Sequence, residues 1–364
     1  MTENRIIICG GGTAGHIYPG LAVSRRMLQK DNTLRFTFVG GGRPLEKKIM
    51  KHHGLDFIPL KIEGLKGRGL KIIRSLLLLP GALWETFRVL RKLRPRLVIG
   101  VGGYSSGPMV FLAALKKIPT LILEQNLYPG LTNRLLIPWV DRAVVSFRGS
   151  LPHFKGKGVF IGNPVREEFY HLPAKTRNHR LSLLVFGGSQ GSLFLNRALV
   201  ASIDRLKEER DRLKIFHQTG PGDYRWVKEA YEKSTFGEAE IAPYFFDMAE
   251  YFRKADLVVS RAGASTIAEL IAARKAALLV PFARATDNHQ LLNARELEKI
   301  RGAEILREEE FTPQRFADRI YGFMKNKEKI DHMENNLRNL DTVDAAERIA
   351  DLSFELMKKS SREA

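Results

Sequence analysis

Two glycine-rich loops, each directly after a short apolar run, constrain the fold of this chain more than any other feature. The apolar run 6–9 leads into glycines at positions 10, 11, 12 and 15, and the run 181–186 leads into glycines at 187, 188 and 191. Helix-like stretches follow the loops, at 21–29 and 193–206. A strand, a glycine turn and a helix together present backbone N–H groups and a positive helix end to a phosphate. Two such units predict two nucleotide-binding domains that face one cleft.

The order of the other apolar runs predicts an α/β protein with two Rossmann-like domains. Strand-like runs alternate with helix-like ones, at 35–39, 57–62, 96–101, 120–123 and 143–145, and then at 213–218, 240–244, 257–259, 277–280 and 304–306. Such runs are typical of parallel sheets buried on both faces. Residues 162–166 predict a junction between an N-terminal domain, 1–163, and a C-terminal domain, 164–340. An amphipathic stretch at 343–357, with Asp341 and Thr342 at its start, predicts a final helix.

Length, cysteine usage and charge limit the class of protein. The 364 residues favour two or three domains, and the single cysteine, Cys9, fits a reducing compartment and a buried small side chain. The longest apolar stretch, at 76–84, is interrupted by Pro80 and Gly81 and is shorter than the ~20 residues that span a bilayer. No signal-peptide pattern is visible, so we expect a cytoplasmic protein. The formal net charge of +19 predicts an anionic partner, with a generally basic proteome as the alternative.

The glycine pattern of the first loop does not by itself define the ligand. Gly10, Gly12 and Gly15 satisfy the dinucleotide-binding spacing, but the second strand ends in glycines and Arg43 where a ribose-binding acid is expected. The sequence has no P-loop, no Asp-x-Asp pair and no clustered Cys/His pattern. We therefore expect a diphosphate to be neutralised by helix ends and cations, with no cofactor and no metal ion, and activity that survives chelation.

Two titratable residues beside the glycine-rich turns are candidates for chemistry. His16 follows the first loop, where a helix N-terminus favours the neutral imidazole that can accept a proton. The alternative for His16 is a cap or a solvent-facing residue. Glu269 follows the segment 260–268, in which most residues are small, and is placed to accept two ribose hydroxyls. The alternative for Glu269 is a surface carboxylate stabilised by the helix dipole.

Seven motifs in a fixed order resemble the MurG family, bacterial UDP-N-acetylglucosamine (UDP-GlcNAc) transferases that convert lipid I to lipid II. The motifs lie at 11–16, 102–108, 124–126, 162–166, 187–191, 260–269 and 281–290. The resemblance covers essentially the whole chain. It implies a GT-B fold, in which two Rossmann-like domains face a central cleft and the second domain holds most of the nucleotide sugar. It also implies that the final segment, 341–364, crosses back to the first domain.

The resemblance also implies roles for individual residues. Thr13, Ala14 and Gly15 line the sugar and diphosphate, Asn126 contacts the sugar, and Arg166 and Ser189 face the nucleotide diphosphate. The backbone of Phe245 reads the uracil, Glu269 binds the ribose and Gln290 the sugar hydroxyls. The phosphates meet the helix start formed by Ala264, Ser265, Thr266, Ile267 and Ala268. Two departures from the family pattern stand out: Phe245 replaces a frequent aliphatic residue, and a longer loop after Phe282 leaves His289 as an alternative to Gln290.

A basic, apolar segment predicts a membrane contact. The candidate residues are Lys71, Arg74, Leu76, Leu79, Trp84 and Arg88. Periodicity alone favours a core helix, but an aromatic residue, a break at Pro80 and flanking cations are typical of an interfacial patch on anionic lipid. The polyprenyl diphosphate acceptor implied by the resemblance favours the interfacial interpretation. Nucleic acid is not expected, because base-stacking and groove-reading motifs are absent.

The resemblance to the MurG family implies an inverting glycosyltransferase. N-acetylglucosamine moves from UDP-GlcNAc to the 4-hydroxyl of the muramyl sugar of lipid I, with His16 as the catalytic base, at the cytoplasmic face of the bacterial membrane. The expected partners are UDP-GlcNAc, lipid I and an anionic membrane surface. Two alternatives stay open from the residues alone: a nicotinamide-dependent oxidoreductase, and a basic membrane- or nucleic-acid-binding module.

Overall fold

Two units with separate sheets make up the chain in this computed structural model. The structure describes residues 4–11, 14–60, 70–173, 179–234, 236, 238–285, 288–340 and 344–363, without the side chains of residues 14, 45, 70–79 and 360–363. The first unit takes its described residues from Met1–Arg166 and Val343–Ala364, and the second takes them from Glu167–Thr342.

The first unit is built on a parallel sheet of seven described strands. The strands are β1 (Arg5–Cys9), β2 (Arg35–Gly40), β3 (Asp56–Pro59), β4 (Leu97–Gly100), β5 (Thr120–Glu124), β6 (Arg142–Val145) and β7 (Gly158–Phe160). Their order is β3-β2-β1-β4-β5-β6-β7, so the chain reverses its direction across the sheet between β1 and β4. In open parallel sheets, ligands bind outside the carboxyl ends of the strands at such a reversal.

Helices cover both faces of this first sheet. They are α1 (Ala14–Lys30), α2 (Pro44–His52), α3 (Leu70–Leu93), α4 (Ser106–Leu115), α5 (Leu131–Leu136) and a 3-10 helix (Arg148–Phe154). Because side chains alternate along a strand, Ile6 and Ile8 of β1 pack in one hydrophobic cluster and Ile7 and Cys9 in the other. Cys9 is fully buried, as predicted, and burial raises the pKa of its thiol.

The second unit repeats the arrangement with six described strands. The strands are β8 (Leu181–Phe186), β9 (Leu213–Gln218), β10 (Ala239–Ala242), β11 (Leu257–Ser260), β12 (Ala277–Leu279) and β13 (Ala303–Ile305), in the order β10-β9-β8-β11-β12-β13. The helices are α6 (Leu193–Leu206), α7 (Tyr224–Lys233), α8 (Met248–Lys254), α9 (Ala264–Ala273), α10 (His289–Lys299), α11 (Pro313–Lys325) and α12 (Lys327–Arg338). Short 3-10 helices lie at Glu167–Phe169, Lys207–Arg212 and Glu308–Glu310. The reversal here falls between β8 and β11.

The last helix, α13 (Ala345–Glu363), belongs to the first unit. Its buried Ile349 and Ala350 join the hydrophobic cluster of α1. Ion pairs line the same contact, since Arg26 of α1 lies 2.6 Å from the Asp344 carboxylate and Lys30 lies 2.7 Å from Glu347. Apolar burial therefore holds the C-terminal helix on α1, with partly exposed charges at its border.

The predicted α/β class with two parallel Rossmann-like sheets is confirmed, but two local predictions were wrong. β7 is an additional strand after the predicted last one, three residues long and too short for a pattern to show. Helix α3 runs without a break through Pro80 and Gly81, both exposed, where water can replace the missing N–H partner.

The start of α13 is set by Asp344, whose carboxylate accepts the Ala346 N–H at 3.0 Å. The predicted start at Asp341 and Thr342 lies outside the described residues.

Within the described part of the chain, no helix has the length and apolar character needed to cross a membrane.

Candidate functional site

The loops after β1 and β4 meet at the strand reversal of the first unit. The Gly11 N–H donates to the carbonyl oxygen of Gly102 at 3.3 Å, and a Cβ on Gly10 would lie 2.4 Å from the same oxygen. A Cβ on Gly103 would lie 2.6 Å from the carbonyl oxygen of Gly11. No side chain fits between backbones this close, so the contact requires glycine in both loops.

A carboxylate that the sequence did not single out supports the first loop. Glu46 of α2 is 2% exposed, and its Oε2 accepts the Arg43 N–H at 2.8 Å. A Cβ on Gly11 would lie 2.2 Å from Glu46 Oε1. An acidic residue thus does lie near the end of β2, but it is buried against the loop. Its position in α2 resembles that of an ordinary first-turn glutamate, so only the tertiary contact reveals it.

His16 lies in the first turn of α1 with a partly exposed ring. A Cβ on Gly102 would lie 2.8 Å from His16 Cδ2 and 3.1 Å from Nε2, so the imidazole covers the Gly102 backbone. Gly15 precedes it and is also partly exposed. Thr13 and the side chain of Ala14 lie outside the described residues. A positioned imidazole at a helix N-terminus is chemically suited to remove a proton from a hydroxyl.

Glu124, at the end of β5, organises the loop that carries Asn126. The Glu124 carboxylate is 2% exposed and accepts the N–H groups of Asn126 at 3.0 Å and Gly130 at 2.9 Å. Burial raises the pKa of the Glu124 carboxyl, although these hydrogen bonds oppose the rise. The Asn126 side chain also donates to Glu124, at 3.3 Å, which fixes its direction at the carboxyl end of the sheet.

Arg166, the last described residue of the first unit before the chain enters the second, packs beside α1. Its guanidinium carbon lies 4.5 Å from the centroid of the Tyr18 ring, a cation–π distance. Tyr18 is two residues beyond His16 on the same helix. The structure therefore places Arg166 near the helix that carries the candidate base.

In the second unit, the loop after β8 packs against the end of β9. A Cβ on Gly191 would lie 1.9 Å from the carbonyl oxygen of Thr219, and both Gly191 and Gly220 have positive φ angles, +76° and +81°. Ser192 then caps α6 by accepting a backbone N–H at 3.3 Å. The half-buried Ser189 lies at the tip of this loop, beside a helix N-terminus suited to an anion.

The loop after β11 leads into a second helix N-terminus. Gly263 precedes α9, whose first residues are Ala264, Ser265, Thr266, Ile267 and Ala268. The leading N–H groups of a helix lack intrahelical partners, so they are donors for an anion. Glu269 is partly exposed, in the second turn of α9. The second unit therefore carries two helix starts, α6 and α9, at the carboxyl ends of β8 and β11.

Arg261 links these two loops and was missed by the sequence analysis as a separate residue. Its Nε donates to Ser192 Oγ at 3.1 Å, and Nη1 donates to the Val280 carbonyl at 3.0 Å. A carboxylate from the 3-10 helix, Glu308, pairs with Nη2. Arg261 is only 6% exposed, and this burial lowers the pKa of its guanidinium, against the opposing effect of Glu308. The residue is thus a buried support of the loops.

A buried polar network at the end of β9 was also missed. His217 Nε2 lies 3.0 Å from Asn196 Oδ1, and Asn196 Nδ2 donates to Thr219 O and to Asp223, each at 2.8 Å. Burial lowers the pKa of His217 to about 3, although Asp223 opposes the shift, so the ring is neutral. The neutral ring must then donate from Nε2. The only signal in the sequence is the polar segment 217–219 after an apolar strand.

The predicted base- and sugar-contacting residues already make hydrogen bonds inside the protein. The Phe245 N–H donates to Gln218 Oε1 at 2.8 Å, and the Phe245 ring stacks on Tyr251 with centroids 3.7 Å apart. Gln290 Oε1 accepts the Phe282 N–H at 3.0 Å. The Gln290 side chain therefore bridges the loop after β12 and the first turn of α10. Among the described residues, no group of three His, Cys, Asp or Glu side chains is arranged to hold a metal ion.

An exposed apolar patch lies on the first unit, formed by Trp84, Leu115, Leu135 and Trp139, which are 62%, 53%, 59% and 50% exposed. Side-chain contacts link these elements: Trp84 stacks with Phe87 on α3, Lys116 Nζ lies 4.5 Å from the centroid of the Phe87 ring, and Trp139 packs edge-on against Phe111 of α4. Exposed cations lie close to these residues along the chain, including Arg88, Arg91, Lys92, Lys116 and Arg134. The side chains of Lys71, Arg74, Leu76 and Leu79 lie outside the described residues, so the structure describes only Trp84 and Arg88 of the predicted set.

Comparison with known proteins defines the class. A family model described as the glycosyltransferase family 28 N-terminal domain matches residues 6–145, and one described as the family's C-terminal domain matches residues 182–349. With two parallel Rossmann-like sheets, each carrying glycine loops at its strand reversal, the chain is a glycosyltransferase of the GT-B fold class.

Individual relatives narrow the family. The UDP-N-acetylglucosamine–N-acetylmuramyl-(pentapeptide) pyrophosphoryl-undecaprenol N-acetylglucosamine transferase of Syntrophus aciditrophicus (strain SB) is 41% identical over 361 residues, 97% of this chain and 99% of the relative. The enzyme of that name from Anaeromyxobacter sp. (strain Fw109-5) is 40% identical over 98% of this chain and 94% of the relative. The crystal structure of Acinetobacter baumannii MurG superposes with a TM-score of 0.75 at 26% identity, covering 97% and 99% of the two chains. The chain belongs to glycosyltransferase family 28 and, within it, to the MurG family.

Proposed function

We propose that this enzyme transfers N-acetylglucosamine from UDP-GlcNAc to the 4-hydroxyl of the muramyl sugar of lipid I, producing lipid II for peptidoglycan synthesis. The observation that carries the proposal is the pair of helix starts, α6 and α9, at the strand reversal of the second unit. Two N-termini with small residues before them suit a diphosphate. The names of the relatives describe N-acetylglucosamine transferases of UDP-N-acetylglucosamine and N-acetylmuramyl-(pentapeptide) pyrophosphoryl-undecaprenol.

The second unit supplies the donor contacts in this proposal. The loop with Ser189 and the first residues of α9 bind the diphosphate through backbone N–H groups. Glu269 accepts the ribose hydroxyls, and Gln290 binds sugar hydroxyls through the amide nitrogen, since its oxygen accepts from Phe282. A uracil at Phe245 would be read through the carbonyl oxygen, because the N–H of Phe245 already donates to Gln218.

The proposed reaction is a single displacement with inversion. The acceptor 4-hydroxyl attacks C1 of the sugar while the bond from C1 to the diphosphate oxygen breaks. His16 takes the hydroxyl proton, and Gly15, Thr13, Ala14 and Asn126 are assigned to the sugar and diphosphate. Helix N-termini and Arg166 stabilise the negative charge on the departing UDP. On this assignment the protein's own groups do the chemistry, with no resident cofactor.

The apolar patch of the first unit is proposed as the contact with an anionic cytoplasmic membrane surface. Tryptophans at this exposure, with exposed arginines and lysines close to them along the chain, match the chemistry of a lipid headgroup region. The proposed contact is therefore larger than the predicted segment on α3. It also includes Leu115 at the end of α4, Leu135 of α5 and Trp139, which follows α5. Lipid I, which carries an undecaprenyl chain, would reach the enzyme from that surface.

A transfer assay tests this function directly. Labelled UDP-GlcNAc and a short-chain lipid I analogue should yield a labelled disaccharide product, and UDP, but not NAD, should bind in calorimetry. Replacing the base, His16→Ala, should lower kcat by ~10²–10⁴-fold with a much smaller change in donor affinity. Failure of the wild type to form product would contradict the proposed function. Loss of donor binding in His16→Ala, with kcat retained, would contradict the assignment of His16 as the base.

A further inference from the structure

We propose that Gln218 is a positioning residue that couples the diphosphate loop to the base-binding segment of the second unit. The inference rests on the proposed function, since it assumes that UDP-GlcNAc binds there. Gln218 is the last residue of β9, the strand adjacent to β8, and is 1% exposed. Such a residue does not itself contact the donor in this proposal; it holds two elements that do.

The side-chain amide of Gln218 makes hydrogen bonds in two directions. Nε2 donates to the carbonyl oxygen of Gly188, in the glycine-rich loop, at 3.0 Å. Oε1 accepts the backbone N–H of Phe245 at 2.8 Å. The two partners dictate the orientation of the amide, because an N–H needs an acceptor and a carbonyl oxygen needs a donor. One planar group therefore spans the loops that follow β8 and β10.

Both bridged groups lie in connections between a strand and the next helix. Gly188 has a φ of +96°, so the loop turns at that residue, and a hydrogen bond to its carbonyl fixes the turn. Phe245 follows β10 and precedes α8, which starts at Met248. Setting both with one buried amide fixes the spacing between the diphosphate and the base, with the Phe245 carbonyl assigned to the base in this proposal.

The residues on either side of Gln218 contact the same region: His217 of β9 and Thr219, which directly follows the strand. His217 reaches Asn196 of α6, and the Thr219 carbonyl accepts from Asn196 and lies against Gly191. Because successive side chains of a strand point to opposite faces, His217 reaches α6 on one face of the sheet and Gln218 reaches the glycine loop on the other. The network of His217 runs toward α6 and α7, whereas Gln218 reaches the segment of Phe245.

The test compares uridine, which reaches only the base-binding segment of the two bridged elements, with UDP-GlcNAc, which reaches both that segment and the diphosphate loop. Gln218→Met keeps the size of the side chain and removes both hydrogen bonds. We expect the affinity for UDP-GlcNAc to fall roughly tenfold, as for loss of a buried hydrogen bond, with a matching rise in KM and kcat within about twofold. The affinity for uridine, which lacks the diphosphate, should change by less than about threefold. A surface control, Gln314→Met, should leave both affinities, KM and kcat unchanged.

Each outcome decides the question. If Gln218→Met loses affinity equally for UDP-GlcNAc and uridine, the role of Gln218 is merely structural. If both affinities stay at the wild-type value, Gln218 has no role. Either result overturns the coupling. If Gln218→Met fails to fold, Gln218→Glu keeps the acceptor for Phe245 and removes the donor for Gly188, and should weaken UDP-GlcNAc selectively. In the wild type, the Phe245 amide should be protected from hydrogen exchange without ligand, and rapid exchange would overturn the geometry. Failure of the wild type to bind UDP-GlcNAc would instead refute the proposed function.

Discussion

The imidazole of His16 lies over the α-carbon of Gly102, so closely that a Cβ on Gly102 would be 2.8 Å from Cδ2 of the ring. The two residues are far apart in sequence and meet because β1 and β4 are neighbours in the sheet. The absence of a side chain on Gly102 thus leaves the room that the imidazole occupies. The position of the candidate base depends on the loop after β4 as much as on its own helix.

Gly102→Ala should therefore displace the imidazole. We expect kcat to fall roughly ten- to a hundredfold, the scale for misplacing a catalytic group by about 1 Å, with little change in KM for UDP-GlcNAc. Gly156→Ala is the matched control, because Gly156 has a similar φ of +80° but a Cβ there would meet no described atom within 4 Å. If both variants lose activity equally, backbone strain rather than the His16 contact is responsible.

Glu269→Ala should weaken UDP binding by about 1.5–3 kcal/mol, the range for losing a hydrogen bond to a charged group. The assignment of Glu269 to the ribose hydroxyls also predicts how the protein discriminates between UDP and its 2′-deoxy form. The wild type should bind UDP more tightly than 2′-deoxy-UDP in calorimetry, and Glu269→Ala should bind the two nearly equally. Discrimination that persists in the variant would assign the ribose hydroxyls to another residue.

The double variant Trp84→Ser with Trp139→Ser should bind anionic vesicles at least tenfold more weakly. Burying one large apolar side chain in the membrane contributes about 1.5–3 kcal/mol to the binding free energy. Both residues are half or more exposed, so the protein should stay folded. Vesicle sedimentation should also show weaker binding as salt rises, since the surrounding cations are screened. Phe246→Ser, at an exposed aromatic residue of the second unit, should leave vesicle binding intact. Unchanged sedimentation of the double variant would place the membrane contact elsewhere.

His217 should make stability fall as the solution is acidified. Its pKa is about 3 in the folded protein and 6.5 as a reference, so between these values the unfolded chain binds the extra proton. Stability from this group is therefore complete above pH 6.5 and is lost toward pH 3, with a slope of about 1.4 kcal/mol per pH unit. Melting temperatures between about pH 7 and about pH 4.5 should fall more steeply for the wild type than for His217→Gln. His332→Gln, an exposed control, should retain the wild-type slope.

Local sequence patterns predicted most of the strands and helices, and the family motifs predicted the class of enzyme. A glycine-rich loop between an apolar strand and a helix is a local feature, so the starts of α6 and α9 and the position of His16 could be predicted from neighbouring residues. The family motifs singled out Glu269 and Gln290 as candidate site residues. Edge strand β7 was missed because three residues carry no usable pattern, and the continuity of α3 was missed because the exposure of Pro80 depends on packing.

What the sequence by itself determined is the alternation of strands and helices, the parallel sheets and the residues at their carboxyl ends, because these follow from short-range periodicity and turn chemistry. Tertiary structure alone decided which distant groups meet: Glu46 against Gly11, Arg261 between Ser192 and Val280, and Gln218 between Gly188 and Phe245. These contacts join loops that are separated in the chain and adjacent only after strand pairing. A buried polar side chain is identified by the partners that satisfy it, and those partners exist only in the folded protein.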